Sequence, residues 1–406
     1  MNSAQAKIRR MRDALSHKEG DRVPAGEFFW TGFMKRCQAT WGQAFDPYRH
    51  FDLDYIVINP NMDPRIRPFE VLKENGEDIV LRTGFGATIR RSGDKPMPSY
   101  ESFSVQQPER MPDFGFDDPA DPRRFFQGGD DQLNCVGDAL ARNLPSWEDR
   151  MKPYLGDFAI FGSVCEPYEY LWRIVGSENA LIWMAESPDQ SSLRIGRASR
   201  PALRPAVRPA HAQKTYLGAF VDRIGKFLLA LAAAEIKAGQ GRLSGMYIWG
   251  DVAYRNGMLF SPARWREMFK PHVKALIDLF HSHGLMVIYH GCGNPSAILD
   301  DFVEMELDGF NPLEAKADLD VVELKRKYAG KLAFVGNIDV RVLETGKPDL
   351  IKREVLYKLR AAKGGGWVFQ SDHSVSSAVS PESYELAIRT LREFGKYPLP
   401  SAISGF

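Results

Sequence analysis

The second half of the chain alternates short apolar runs with longer segments whose apolar residues recur at helical spacing. Runs at Ala159–Val164, Gly245–Trp249, Met286–Tyr289, Gly309–Asn311, Leu332–Val335 and Trp367–Gln370 predict buried strands. The helices between them carry explicit start and stop signals. Ser261-Pro262 supplies an N-cap with proline at the first helical position. The series Trp265, Met268, Phe269, Leu276 and Phe280 then predicts one helix ending at Gly284. Ser380-Pro381 repeats the device for a last helix that stops at Gly395. Leu350 to Lys363 predicts a third helix, ended by Gly364-Gly365-Gly366. Strands alternating with helices of this length specify βαβ units on a parallel sheet.

No G-x-G-x-x-G follows a first strand and no G-x-x-x-x-G-K-[ST] occurs, so nothing supports a nucleotide fold. Polar residues instead follow several successive strands: Glu166, Asp251, His290 with Cys292, Glu314, Asp339, and Asp372 with His373. Function carried at the C-terminal ends of many strands is the habit of a closed (β/α)8 TIM barrel, which is the predicted fold class.

Two regions break the alternation. Residues 1–130 are irregular, with one clear strand at Tyr55–Asn59, and read as an N-terminal extension plus the first barrel unit of a single domain spanning 1–406. From Gln190 to Gly218 the chain holds Arg194, Arg197, Arg200, Arg204, Arg208 and Lys214 with no acidic residue, and Pro201, Pro205 and Pro209 recur every four residues. Those prolines forbid a stable helix, so a disordered basic insertion outside the barrel is expected there. It interrupts a helical region that otherwise runs from Ala185 to Lys237.

The sharpest chemistry is in Met286-Val-Ile-Tyr-His-Gly-Cys-Gly-Asn294. In an extended segment residues i and i+2 point to the same side, so His290 and Cys292 are delivered together at a strand end. An imidazole and a thiol are half of a zinc site; the bland alternative is a loop histidine beside a small buried thiol. Asp251, after Gly250 at a strand tip, reads as a ligand, as a hydrogen-bond partner of His290, or as a loop cap. Glu314 beside Lys316 reads as a catalytic carboxylate or as a surface ion pair. The aromatic cluster Phe28-Phe29-Trp30 with Phe33 is core packing or the wall of an apolar pocket.

Composition narrows the partners. With 53 basic and 52 acidic residues the net charge is +1, which gives no field for nucleic acid or an anionic membrane. No apolar run reaches the length of a membrane span. The start, Met1 to Arg10, has charge but no apolar h-region, and four widely spaced cysteines make no disulfide framework, so a cytoplasmic protein is expected.

With these features placed, Phe310-Asn-Pro-Leu-Glu-Ala-Lys316, Gly336-Asn-Ile-Asp339 and Ser371-Asp-His-Ser374 resemble motifs of the uroporphyrinogen decarboxylase (URO-D) superfamily. The chain is most similar to the superfamily's cobalamin-dependent methyltransferase-like branch. That resemblance implies a His-x-Cys zinc motif at His290 and Cys292, completed by a later cysteine. The later position falls in Ser371-Asp372-His373, which holds no cysteine, so Asp372 or His373 would substitute as the third ligand. The implied function is metal-dependent methyl transfer between a small-molecule methyl donor or acceptor and a corrinoid. This chain has no corrinoid-binding Asp-x-His-x-x-Gly, so that cofactor would come on a separate protein. Asp251, Glu314 and His373 are the candidate catalytic groups, with Zn²⁺ held by His290, Cys292 and Asp372.

The decarboxylase branch is the alternative, a lyase without metal. Its arginine-rich N-terminal motif for tetrapyrrole propionates corresponds to Glu27-Phe-Phe-Trp-Thr-Gly-Phe-Met-Lys-Arg36, which is aromatic and lacks paired arginines. A non-catalytic barrel binding a tetrapyrrole or a protein is the third reading.

Overall fold

A computed structural model describes residues 3–76, 78–92, 97–133, 142–186 and 210–404. Seven parallel strands form one sheet in the order of the sequence: β1 (Tyr55–Val57), β2 (Ala159–Cys165), β3 (Gly245–Trp249), β4 (Met286–His290), β5 (Gly309–Asn311), β6 (Ala333–Val335) and β7 (Trp367–Val368). Each predicted run therefore contains a strand, shortened or lengthened by a residue or two at its ends. The eighth stave is irregular. The Phe369 N–H donates to the Pro24 carbonyl at 2.9 Å and the Gly26 N–H donates to the Phe369 carbonyl at 3.0 Å, beside β7. The Asp54 N–H donates to the Ala25 carbonyl at 2.7 Å, beside β1. The segment around Ala25 thus bonds next to both edge strands and completes the (β/α)8 barrel. Gly26 has no room for a side chain, since a Cβ there would lie 2.0 Å from the Tyr55 ring.

Alternate residues of each strand fill the interior. Tyr55, Phe161, Tyr247, Met286, Ile288, Val335 and Val368 pack into one buried cluster. Helix Ser3–Leu15 adds Met11, Ala14 and Leu15 to that cluster, so it plugs the barrel at the N-terminal end of the strands. The other faces of the strands join a larger core beneath the surrounding helices. On β4 the inward series Met286, Ile288, His290 places the imidazole at the C-terminal mouth, where the interior ends and Phe28 and Trp249 begin.

Three expectations need correction. The helix predicted from Ser261 to Gly284 is two, Pro262–Met268 and Lys270–Ser282, joined at Phe269. Pro271 has no N–H to give and its ring crowds the preceding turn, so the ladder breaks there. The N-terminal region is less irregular than expected. It carries helices Ser3–Leu15 and Thr31–Trp41 and an antiparallel sheet of Glu70–Asn75, Asp78–Arg82, Thr88–Arg91 and Ser99–Ser102. Finally, the expected insertion Gln190–Gly218 is shorter at its C-terminal end, where residues 210–218 are helical. Residues 190–209 lie outside the described residues, but helix Ala210–Gly239 begins directly after Pro209, the last of the three prolines. Among the described residues, no helix is long and apolar enough to cross a membrane.

Candidate functional site

His290 ends β4 and Cys292 follows it across Gly291, with Gly293 taking φ +83° to turn the loop back. A Cβ on Gly293 would meet the backbone of Ala253 at 2.7 Å, so this loop needs glycine to lie against the β3 loop. Two carboxylates fix the loop through its amides. The Cys292 N–H donates to Asp251 Oδ1 at 2.8 Å, and the Gly293 N–H donates to Glu314 Oε2 at 3.0 Å.

The result is a tight cluster of donor atoms. His290 Nε2 lies 3.5 Å from Cys292 Sγ and 3.9 Å from Asp251 Oδ1. Asp251, His290 and Cys292 each place a ligand atom within 4.8 Å of the others, the one such group of three among the described residues. Tetrahedral zinc with bonds of about 2.0–2.3 Å sets its ligand atoms about 3.3–3.8 Å apart. The His290–Cys292 spacing falls in that range and the His290–Asp251 spacing just outside it, so a slight inward shift of Asp251 would bring this pair of spacings to those of a single small cation. The donor set, one nitrogen, one sulfur and one carboxylate oxygen, is of the kind zinc takes. Burial, then the Asp251 and Glu314 carboxylates, push the Cys292 thiol well above its usual range. A divalent cation at the cluster would reverse that balance and hold a thiolate.

The structure sorts the sequence candidates. Asp251, read as catalytic, joins His290 and Cys292. Asp372, read as the third ligand, does not. Its carboxylate is buried and accepts from the Ala315 N–H and the Val340 N–H, both at 2.9 Å, so its two oxygens tie together the loops after β5 and β6. Glu314 lies behind the Cys292 loop with Lys316 Nζ 3.1 Å from its other oxygen. His373 stands across the cavity, its ring 5.4 Å from that of Trp30, with Nδ1 3.1 Å from the Ser374 carbonyl.

Asp251 and His290 line a cavity of about 550 Å³. The aromatic segment divides between its two readings. Phe28, Phe29 and Trp30 line the cavity, whereas Phe33 is fully buried in the core and stacks on Phe29. Trp249 and Phe28 flank the imidazole of His290, with ring centroids 5.0 and 6.3 Å from it. Two guanidiniums reach the same cavity, Arg150 and Arg173.

Sequence reasoning missed two residues here. Glu169 accepts from the Asp251 N–H at 2.8 Å and is ion-paired to Arg173. Asn311 sits opposite His290 in register, and its Oδ1 is 2.5 Å from His290 Nδ1. Asn311 was visible in the Phe-Asn-Pro-Leu-Glu motif; Glu169 gave no signal beyond being an acid early in a helix after a strand.

Comparison with known proteins agrees with this architecture. The chain is 24% identical over 278 residues to a uroporphyrinogen decarboxylase of Pseudoalteromonas translucida (strain TAC 125), an overlap covering 66% of this chain and 73% of that one. It is 22% identical over 268 residues to the uroporphyrinogen decarboxylase of Aeromonas salmonicida (strain A449), covering 64% and 69%. Among solved structures, a methyltransferase from Methanosarcina mazei superposes with a TM-score of 0.64 at 18% identity, over 96% of this chain and 98% of that one. At that identity the likeness establishes the fold alone. Residues 156–394, more than half of the chain and all of β2 to β7, match the family model for uroporphyrinogen decarboxylase (URO-D), and the chain belongs to that family.

Proposed function

We propose that this chain is a metal-dependent methyltransferase that moves a methyl group between a small substrate and a corrinoid carried by a separate protein. The observation that carries the reading is that ligand atoms of His290, Cys292 and Asp251 lie within 4.8 Å of one another, beside a cavity that Asp251 and His290 line. Those three residues would hold Zn²⁺, which when bound supplies Lewis acidity toward the heteroatom that gives up or receives the methyl. Asp251 is placed for this by the Glu169 carboxylate behind its backbone, and Cys292 by Asp251 and Glu314. Phe28, Trp30 and Trp249 make an apolar wall that would exclude water and seat the body of the substrate. A cytoplasmic location goes with this reading, since Cys37, Cys165 and Cys292 are free cysteines, which suits a reducing compartment.

A second reading, a carboxy-lyase without metal, draws on the curated relatives, which are named uroporphyrinogen decarboxylase. Asp251 and His373 would then stabilise and protonate a carbanion-like product. The cavity's charge speaks against it. A substrate with eight carboxylates needs several guanidiniums. Here two line the cavity, Arg173 ion-paired to Glu169 and Arg150 donating to the Asn59 carbonyl at 2.7 Å, while Asp251 adds negative charge.

Emission spectrometry on purified protein tests the first reading: about one zinc per chain is expected for a site with three protein ligands. Protein that stays metal-free after incubation with Zn²⁺ and removal of the excess would exclude it.

A further inference from the structure

We infer that Asn311 selects the tautomer of His290, and thereby aims the unprotonated Nε2 at Cys292 and Asp251. The argument begins one strand further on. Asn311 ends β5 fully buried, and its amide is bracketed by two groups, the Val335 carbonyl and the His290 ring. A carbonyl can only accept, so the Asn311 amide nitrogen must be the atom facing Val335, at 2.9 Å. The amide oxygen is left facing His290 Nδ1 at 2.5 Å. An amide oxygen also only accepts, so Nδ1 must carry the ring proton.

A neutral imidazole has one N–H, and with it on Nδ1 the lone pair is on Nε2. That is the atom 3.5 Å from Cys292 Sγ and 3.9 Å from Asp251 Oδ1. The opposite tautomer would find little here. Its Nε2–H would gain only the weak sulfur acceptor of Cys292 at 3.5 Å, since Asp251 at 3.9 Å is too far to hydrogen-bond. Nδ1 and the Asn311 oxygen would be left with two lone pairs confronting each other at 2.5 Å. Strand register makes the arrangement rigid, because His290 and Asn311 are paired residues on adjacent strands and the Gly291 N–H donates to the Asn311 carbonyl at 2.8 Å. Asn311 touches no donor atom of the cluster other than through the far side of the imidazole, so it is a positioning residue. The consequence for metal binding rests on the methyltransferase reading above; the tautomer itself does not.

The test reads the tautomer directly. Metal-free protein labelled with ¹⁵N-histidine is examined at pH 8 by long-range ¹H–¹⁵N correlation, with His290 identified by subtracting the spectrum of His290→Gln. A protonated Nδ1 and an unprotonated Nε2 are expected, and the reverse pattern in the unaltered chain overturns the inference without any variant at Asn311. Asn311→Leu should admit the Nε2–H form and weaken Zn²⁺ binding, read by chelator competition, by about 10–100-fold, the loss typical when the partner of a ligating histidine is removed. Asn311→Asp, which in its protonated form can both donate to Val335 and accept from His290, should recover most of that affinity. A leucine variant that unfolds cooperatively yet keeps the parent's tautomer and Zn²⁺ affinity overturns the inference. If the unaltered chain shows the expected tautomer but binds no Zn²⁺, the assignment of Asn311 is supported and the proposed function is what fails.

Discussion

The Glu169 carboxylate accepts the backbone N–H of Asp251 at 2.8 Å through one oxygen and is ion-paired to Arg173 through the other. Glu169 and Arg173 are one turn apart on helix Pro167–Val175, so a helix face following β2 fixes a loop following β3. Removing the carboxylate strands a largely buried guanidinium and an amide donor together. Glu169→Ala is therefore expected to lower stability by about 3 kcal/mol, at the lower end of what breaking a buried pair costs. It should also loosen Zn²⁺ binding through Asp251. Glu169→Gln keeps an acceptor for the Asp251 N–H and should retain more metal affinity than stability. Urea unfolding and Zn²⁺ titration on both variants check this; equal metal affinity in the alanine variant and the parent would mean that Asp251 is not held by Glu169.

Asp372 gives a contrasting case. Each of its oxygens takes a backbone N–H, from Ala315 and from Val340, so its role is to knot two rim loops. Asp372→Asn turns one acceptor into a donor that faces a donor. The expected cost is about 1–3 kcal/mol for one buried group left unsatisfied, with metal stoichiometry unchanged. Loss of zinc from a folded Asp372→Asn protein would restore this residue to the ligand set.

Much of this architecture is legible in the sequence. Parallel strands buried on both faces read as unbroken apolar runs, and Met286–Tyr289 announced a strand whose continuation had to present His290 and Cys292 on one side. What stayed hidden has physical causes. The barrel-closing segment around Ala25 contains Pro24, whose carbonyl accepts from Phe369, and Gly26, which has no room for a Cβ, and both residues are read in a sequence as turn signals. Strand Glu70–Asn75 is exposed along its whole length, so it shows no alternation to detect. Asn311 stood in a recognised motif, but its partner is 21 residues away and its function depends on strand register, which no local pattern encodes.

A second buried acid gives a pH prediction. Glu166 is fully buried behind the site; its Oε2 accepts from the Tyr289 hydroxyl at 2.8 Å and the Trp265 N–H at 3.4 Å, while Oε1 has no partner. Burial, with a smaller contribution from the Glu169 charge, pushes its carboxyl from the ordinary 4.5 up to about 8. Between those two values the folded chain keeps a proton that the unfolded chain has lost. Stability contributed by this group is therefore complete below pH 4.5 and falls as pH rises toward 8, by at most about 1.4 kcal/mol per pH unit. Glu166→Gln places an amide oxygen where Oε2 accepts and cannot titrate. Its urea-unfolding free energy should fall less between pH 5 and 8 than the parent's. Parallel pH profiles for parent and variant would show that Glu166 is ionised in the fold.

The substitution that separates the two enzymatic readings is Cys292→Ser. Serine keeps the size of the side chain and the backbone N–H that Asp251 accepts, so the loop has every reason to remain in place. What changes is the donor: a thiolate is a strong zinc ligand and a hydroxyl is rarely one. If Asp251, His290 and Cys292 hold the metal, the variant should fold with the melting temperature of the metal-free parent and lose zinc on dialysis, and methyl transfer to cob(I)alamin should disappear with it. Under the metal-free lyase reading, Cys292 is a small loop residue, and the exchange should leave activity intact. Asp251→Asn is the complement. An amide oxygen can still accept the Cys292 N–H but is a poorer ligand, so a loss of zinc affinity at least as large as the 10–100-fold seen on removing an outer partner of a metal ligand is expected. A Cys292→Ser protein with full metal content and full activity would remove the cluster from the mechanism, and a carboxy-lyase using Asp251 and His373 would be the better account.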